Sequence, residues 1–537
     1  MRRLSILTCI LVVFILATST RQNWAAKADE PSYGGIYHVP LLNNPPTLDP
    51  AYVQDIYGVA VVQKLFDGLV QFSPELYVIP ALAENWRVED EGRTYRFFLR
   101  KNAQFHNGRL VDSEDVVFSL SRLFRANPPP TILPHLLKIS GAEDYRSGKV
   151  ERVSGLEIVD DSTLVIHLAE PYAPFLVTLG MYQAKIVPRE VVGGNEELFG
   201  QQPVGTGPFK FVNWQQSENI RLEKFPDYYA GRPFLDGITF IIYPGIDIEA
   251  VFADFQNGKL EEMEVYGEFA DKLKKRKDLQ WIHRPSLSLQ FYGINCQDPK
   301  LRNKDVRQAL SMAIDRDKLI SSVYDDLDEP AFGILPPGLP GYHPREQKPI
   351  YSIESARNHL EKALDKNKDL IGSLEITSNS QSPYAQAELN FVRQSWGLLG
   401  VSMEPKFIPD WQDFESYIES ASMQIYRYVW FADLPDPDDF LRSLFSSNSQ
   451  FNYMKYHDKQ VDEMLLKAVG EIDPIKRASM YQEIEEKIIE SWPIIPISYL
   501  SINYVYQPTV CGMHASPLGA HTTSYNRVWL RTESPQQ

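Results

Sequence analysis

One acidic residue has an unusual position in the segment RYVWFADLPDPDDFL, which starts at Arg427. Asp433 closely follows Tyr428–Phe431, four consecutive residues that are aromatic or branched. A carboxylate withdrawn from water is costly unless a cation or hydrogen bonds compensate it. Asp433 therefore either has a cationic partner or is a turn residue in an acidic loop. Three more acids follow it in that loop: Asp436, Asp438 and Asp439.

The other reactive side chains form no pattern typical of catalysis or of a metal site. The sequence contains no P-loop, no HExxH and no GxSxG motif, and the pair Gly205 and Gly207 lacks the third glycine of a dinucleotide-binding loop. His514 and His521 have a spacing that is weak for metal ligands. The acids after Asp433 lack the glycine and the distal glutamate of a calcium loop. We predict no enzymatic activity, no cofactor and no metal.

The N-terminus has the features of a secretory signal peptide. Two arginines precede an apolar run, Leu4–Ala17, that is too short to span a bilayer comfortably, and Ala26-Lys27-Ala28 supplies a small-x-small cleavage site. We predict that residues 1–28 are removed and that the mature protein is exported to the periplasm. No later apolar stretch approaches membrane length.

Length and charge limit the remaining possibilities. A chain of 537 residues with 43% hydrophobic and 23% charged residues is expected to form two or more folded domains. Its net charge of −16 makes nucleic acid a poor partner, because phosphate backbones are repelled. After cleavage only Cys296 and Cys511 remain, and we favour two buried thiols over a disulfide, although an exported compartment permits one.

Strand and helix patterns alternate along the chain, which favours an α/β or α+β class. Thr94–Leu99 and Ser288–Asn295 are typical of strands, and Asn303–Tyr324 carries apolar residues at helical spacing. Ser113 is predicted to cap a helix, as is Asp473, which is followed by a proline at the first helical position. The chain is predicted to form a further strand over Ile494–Tyr506.

Several of these blocks, in this order, resemble the extracellular solute-binding proteins of ABC importers, specifically the peptide/nickel-binding class. The resemblance covers nearly the whole predicted mature chain, and four segments carry it most strongly. They are LAENWRVEDEGRTYRFFLRKNAQFHNGRLVDSEDVVFSLSRL (82–123), PVGTGPF (203–209), FPDYYAGRPFLD (225–236) and NKDVRQALSMAIDRDKLI (303–320).

The resemblance implies a type II periplasmic-binding-protein fold of α/β class, in which two lobes close on a ligand. The first lobe is expected to comprise residues 29–286 and 500–537, with an inserted subdomain at about 71–195. The second lobe is expected to comprise residues 287–499. Two chain crossings, near 287 and 499, would then form the hinge.

The resemblance also implies the binding residues. WFADLPDPDDFL is similar to the W-x-[AG]-D-x-x-[DE]-P segment of oligopeptide- and dipeptide-binding members, in which the aspartate pairs with the α-ammonium group of the ligand. Asp433 occupies that position. The backbone of Val429–Phe431 would then bind a peptide as an added strand. Trp430 and Trp411 match aromatic residues that line side-chain pockets, although each tryptophan could equally be a core residue.

Two further positions concern how the C-terminal end of a peptide ligand would be bound, and the residues there do not decide it. Arg427 matches an arginine of some oligopeptide binders and could hold a carboxylate, or it could pair with an acid of the protein itself. Tyr384 stands where related members place a histidine or an arginine for the peptide C-terminus. Tyrosine can donate a hydrogen bond but is uncharged at neutral pH, so it offers no counter-charge to a peptide carboxylate.

We therefore predict a monomeric substrate-binding protein that captures peptides and delivers them to an ABC permease in the inner membrane. One alternative keeps the fold but changes the ligand to a nickel chelate or an oligosaccharide. Asp433 discriminates between these ligands, because it requires a cation on the ligand. A second alternative is a surface receptor without a transporter.

Overall fold

A computed structural model describes residues 30–344, 351–364, 371–420 and 422–531. The predicted signal peptide lies outside these residues. No helix within the described ranges has the length and apolar character needed to cross a membrane. Cys296 and Cys511 are not joined in a disulfide, and both are half-buried rather than buried.

The first lobe contains two of the larger sheets of the described chain. One has the order β1-β10-β9-β8, with β1 parallel to β10 and the other pairs antiparallel; the second is the antiparallel sheet β11-β19-β12. Their strands are β1 (Ile36–Leu41), β8 (Phe209–Gln215), β9 (Asn219–Lys224), β10 (Gly237–Ile242), β11 (Glu262–Glu264), β12 (Gln280–Pro285) and β19 (Ser501–Tyr506).

An antiparallel sheet with the order β4-β5-β7-β6 forms the centre of the inserted subdomain. Its strands are β4 (Ala83–Glu89), β5 (Thr94–Leu99), β6 (Leu156–Asp160) and β7 (Thr163–His167). Two short antiparallel strand pairs also lie in this half of the molecule: β2 (Val70–Phe72) with β3 (Val78–Pro80), and β20 (Val510–Cys511) with β21 (Trp529–Leu530).

The second lobe is organised around a mixed sheet with the order β14-β18-β13-β17-β15-β16. Its strands are β13 (Ser288–Ile294), β14 (Glu329–Pro330), β15 (Ser373–Ser378), β16 (Ser402–Phe407), β17 (Ile425–Phe431) and β18 (Ile494–Tyr499). Buried side chains fill both faces of this sheet. A sheet buried on both faces needs near-continuous apolar strands, and every residue of β13 is indeed buried.

Helices cover these sheets. Those of the first lobe and its subdomain are α1 (Ile56–Leu65), α2 (Ser113–Leu123), α3 (Leu133–Leu136), α4 (Ala142–Arg146), α5 (Phe175–Gly180), α6 (Arg189–Val192), α7 (Glu196–Gln201), α8 (Ile248–Gln256) and α9 (Gly267–Lys274). Those of the second lobe are α10 (Lys304–Met312), α11 (Arg316–Val323), α12 (Ile353–Leu364), α13 (Pro383–Gly397), α14 (Trp411–Glu419), α15 (Pro437–Phe445), α16 (Lys459–Gly470) and α17 (Pro474–Glu490).

Three local predictions differ from the structure. The cap of α2 is Asp112, whose carboxylate forms a reciprocal capping box with Asp115, whereas Ser113 is the first helical residue. The helix predicted over Asn303–Tyr324 is two helices, because Asp315 accepts a hydrogen bond from the Lys318 N–H and starts α11.

The strand predicted over Ile494–Tyr506 divides into β18 and β19, which belong to different sheets. The division falls at Leu500. The reason lies in the tertiary structure, since the apolar pattern continues through both strands. By contrast, Asp473 caps α17 as predicted, accepting hydrogen bonds from Ile475 and Lys476.

Candidate ligand-binding cleft

The two lobes are joined by two chain crossings that lie side by side. β12 leads into β13 through Ser286 and Leu287, and β18 leads into β19 through Leu500. The Ser286 N–H donates to the Leu500 carbonyl at 2.8 Å, and the Leu500 N–H donates to the Ser288 hydroxyl at 3.1 Å. These bonds tie the crossings to each other, so rotation of one lobe against the other bends both at the same place.

A cavity of about 630 Å³ opens beside these crossings and is mainly apolar. The first lobe supplies most of its wall, and the second lobe contributes the end of β17, at Phe431 and Ala432. We call this cavity the main cavity. Its remaining lining includes Leu41, Ile56, Tyr57, Val251, Tyr266, Leu287, Leu500, Ile502, Tyr504 and Leu518. Its size and its apolar wall suit a small organic ligand.

Two charged side chains lie on the first-lobe side of the main cavity. Glu262 accepts hydrogen bonds from the hydroxyls of Tyr37 and Tyr525, at 2.8 and 2.9 Å. The Lys64 ammonium donates to the Thr523 carbonyl and lies 4.6 Å from the centre of the Tyr525 ring. Burial raises the pKa of Glu262 to about 7 and lowers the pKa of Lys64 to about 7.

Asp433 lies two residues after the end of β17 and is exposed. Its N–H donates to Asp439 Oδ2 at 3.2 Å. Surrounding protein raises the pKa of Asp433 by desolvation, and no basic side chain of the described residues forms an ion pair with it. Across the cleft lies Tyr182 of the inserted subdomain; burial raises the pKa of Tyr182, and the charge of Asp433 raises it further.

A second carboxyl group, that of Asp439, lies next to Asp433. Asp439 is buried and accepts hydrogen bonds from Trp430 Nε1 and from the Asp433 N–H. Burial raises the pKa of Asp439 well above its ordinary value, and the nearby charge of Asp433 raises it further. The site formed by Asp433 and Asp439 therefore favours a cation and disfavours an anion.

The backbone of β17 has a free edge on the side opposite β13. β15 pairs with β17 only at Ile425 and Tyr426, so no described strand pairs with that edge from Arg427 onward. The Ala432 N–H donates toward β13, to the Leu287 carbonyl at 2.9 Å. Because successive residues of a strand alternate, the N–H and C=O groups of Val429 and Phe431 point toward the free edge.

The predicted aromatic residues occupy different environments. Phe431 is 59% exposed and lines the main cavity. Trp411 is also exposed, and its ring centre is 5.8 Å from that of Tyr428. Trp430 lies in the core of the second lobe, with its ring edge against Phe451.

Arg427 is bonded within the protein. Its Nε donates to Glu388 Oε2 at 2.8 Å, and its Nη2 donates to Gln290 Oε1 at 2.7 Å. Tyr292 and Tyr324 donate to the same glutamate, whose side chain is fully buried. The acid that pairs with Arg427 is therefore Glu388 on α13, which is far from Asp433 in sequence, and the guanidinium has little surface left for a ligand.

Tyr384 lies at the start of α13, next to Tyr324, which donates to the buried Glu388. Its ring stacks on Tyr324 at 6.0 Å between centres, and its hydroxyl touches Gly267, the first residue of α9 in the other lobe. A Cβ at position 267 would lie 1.9 Å from that hydroxyl. Tyr384 therefore spans the cleft and connects the two lobes.

Sequence reasoning missed the contribution of the first lobe. Lys64, Tyr182 and Glu262 come from three distant segments, and none belongs to a local motif. Lys64 follows an apolar run of α1, where a single lysine resembles an ordinary surface residue. The tertiary fold alone brings these residues to the same cleft. In addition, no cluster of histidine, cysteine or acidic side chains that could hold a metal occurs in the described ranges.

Comparison with known proteins identifies the fold. Residues 77–452 match the family described as bacterial extracellular solute-binding proteins, family 5 (middle region). The dipeptide-binding protein of Escherichia coli K12 is 29% identical over 479 residues, which cover 85% of this chain and 88% of the relative. Heme-binding protein A of Haemophilus influenzae is 29% identical over 478 residues, covering 85% of each chain.

A solved structure described as the unliganded open form of the periplasmic murein tripeptide-binding protein MppA matches with a TM-score of 0.83. The two chains are 23% identical, and the match covers 94% of this chain and 98% of the other. The predicted α/β fold with two lobes is thereby confirmed. The names of the relatives differ in ligand, so the choice of ligand depends on the residues of the cleft.

Proposed function

Because the chain belongs to the family 5 bacterial extracellular solute-binding proteins, we propose that it captures peptides with a free N-terminus for an ABC importer. The observation that carries this proposal is the position of Asp433. Its carboxylate has no basic partner among the described side chains, and it follows by two residues Phe431, which lies on the free edge of β17 and lines the main cavity. A peptide α-ammonium group supplies the missing charge together with three hydrogen-bond donors.

The free edge of β17 accounts for the rest of the recognition. A peptide that extends from Asp433 along Val429 and Phe431 would bond their backbone groups as an added strand, whatever its side chains are. The apolar main cavity would take a side chain. A nickel chelate or a neutral oligosaccharide does not repeat the spacing of backbone groups along a strand edge, and neither offers an ammonium group to Asp433.

Binding would favour closure of the lobes. Contacts from Asp433 in the second lobe and from the first-lobe wall of the main cavity can act on one ligand together only when the lobes are close. We assign the lobes the bounds 29–286 with 500–537, and 287–499. The closed form would dock on a membrane permease, act as a monomer in the periplasm after removal of residues 1–28, and catalyse no reaction.

Calorimetry with trialanine and N-acetyl-trialanine tests the role of Asp433. We expect Asp433→Asn to weaken trialanine binding by about 2–5 kcal/mol, the scale for breaking an enclosed charge pair. Acetylation should weaken binding to the wild type by a similar amount, but should cost little further in the variant, because the pair is already lost. Asp413→Asn, at an exposed acid of α14, is the matched control and should bind as the wild type.

Equal affinity of the wild type and Asp433→Asn for trialanine would contradict the assignment of Asp433. Saturable binding of a nickel chelate or an oligosaccharide, with no binding of peptides of any length, would instead support the alternative ligand class.

A further inference from the structure

A second cavity, of about 260 Å³, lies apart from the free edge of β17. It is formed by the end of α1, the β2 hairpin and the C-terminal segment between Gly512 and Arg527. Its wall includes two oppositely charged side chains, Asp67 and Lys185. Leu518 is common to the second cavity and the main cavity, so one segment separates them.

Asp67 lies in this wall, and one of its two carboxylate oxygens has no hydrogen-bond partner. Its residue is 6% exposed, and its backbone is fixed by a 2.9 Å hydrogen bond from its N–H to the Thr206 hydroxyl. The Oδ2 atom is buried and has no hydrogen-bond partner. Burial raises the pKa of Asp67, while Lys185 and the hydroxyls of Tyr228 and Tyr229 partly offset this effect.

Lys185 is similarly placed. It is 5% exposed, and its Nζ forms no hydrogen bond or ion pair with another described residue. Burial lowers the pKa of Lys185 to about 8, and the attraction of Asp67 partly offsets this effect. The two charges attract each other across the cavity but are not in ion-pair contact.

Two other buried acids of the described chain pair directly with an arginine. Arg477 holds Asp436 through two hydrogen bonds, at 2.7 and 2.8 Å, and Arg427 holds Glu388. Direct pairing of this kind is expected, because a buried charge without a partner is costly. Asp67 and Lys185 do not form such a pair, and both lie at the wall of a cavity that opens to solvent beside Ser524 and Arg527.

We propose that this second cavity binds a free α-amino acid as its zwitterion, with the ammonium group on Asp67 and the carboxylate on Lys185. The volume is well below that of the main cavity and suits a single residue rather than a peptide. Phe72, Ile79 and Leu518 provide apolar surface for an aliphatic side chain. This site does not depend on the function proposed for the main cavity.

Saturation-transfer NMR and calorimetry with L-leucine test the proposal. We expect Asp67→Asn and Lys185→Met each to raise the dissociation constant at least about tenfold, since each leaves one end of the zwitterion unpaired. L-Leucinamide and N-acetyl-L-leucine should bind the wild type correspondingly worse. Asp433→Asn, in the main cleft, should bind L-leucine as tightly as the wild type.

Ser524→Phe provides a test that does not disturb a buried charge, because Ser524 is exposed at the rim of the cavity. It should block L-leucine even if the two buried variants fold poorly. The proposal is overturned if the wild type shows no saturable binding of L-leucine at millimolar concentration, or if Ser524→Phe binds it normally. Loss of binding in Asp433→Asn would also overturn it, since the amino acid would then occupy the main cleft.

Discussion

At the scale of single residues, the buried pair of Arg427 and Glu388 is structural. Glu388→Gln removes one charge and leaves the guanidinium buried without its counter-ion. We expect a loss of about 3–5 kcal/mol in the free energy of unfolding, measured by urea denaturation. Glu404→Gln is the matched control, because the pair of Glu404 with Arg393 is exposed and should be worth less than about 1 kcal/mol. Equal stability of the two variants would contradict this role.

Glu262 gives stability a predictable pH dependence. Its pKa in the folded protein, about 7, lies above its unfolded value. Between pH 4.5 and 7 the folded state therefore keeps a proton that the unfolded chain has released, and its contribution to stability falls as pH rises through that window. Glu262→Gln should remove this fall, which is at most about 3 kcal/mol.

The measurement is the free energy of unfolding at several pH values, for the wild type and Glu262→Gln. Lys64 acts in a separate window. Its lowered pKa makes stability rise with pH between about 7 and its unfolded value of 10.5. If the free energy of unfolding of the wild type and of Glu262→Gln changed with pH by the same slope below pH 7, Glu262 would not titrate as described.

At the scale of elements, the free edge of β17 makes a prediction about the ligand backbone. Trialanine methylated at its central amide nitrogen has lost one donor and carries a methyl group at the strand edge. We expect its affinity to fall at least about tenfold in calorimetry, as for a lost hydrogen bond combined with a steric conflict. Unchanged affinity would place the peptide away from β17.

The elements were predictable where local signals were strong. β5 has the bounds Thr94–Leu99 that its alternation predicts, and α17 starts at the predicted cap, Asp473. Prediction failed where two local signals competed. The apolar spacing over Asn303–Tyr324 continues across Asp315, but the cap of α11 interrupts the helix there.

The candidate site was predictable only in part, for a related reason. Asp433 and β17 belong to one short segment with its own pattern, whereas the partner of Arg427 lies 39 residues earlier in the chain. Such a pair depends on how α13 packs on β17. No spacing of residue types along the sequence predicts that packing.

At the scale of the whole molecule, the contact of Tyr384 with Gly267 connects the lobes. Gly267→Ala places a methyl group against the Tyr384 hydroxyl, so either the ring turns away or the lobes separate. We expect a larger radius of gyration in small-angle X-ray scattering and weaker peptide binding. Adding Tyr384→Ala should restore the wild-type radius, since the obstruction is then removed.

An unchanged radius for Gly267→Ala alone would show that the ring moves freely and that the contact does not set the separation of the lobes. Gly397→Ala is a suitable control, because a Cβ there meets no atom within 4 Å.

The loop that carries Asp433 has a consequence for how the molecule opens. Leu434, the next residue, is 1% exposed and packs into the core of the inserted subdomain rather than into its own lobe. Withdrawing a leucine from such a core costs about 1.5–3 kcal/mol, a bias of roughly ten- to a hundredfold. The loop that carries Asp433 is thus anchored in both lobes, and an opening motion that withdraws Leu434 from the subdomain carries this cost.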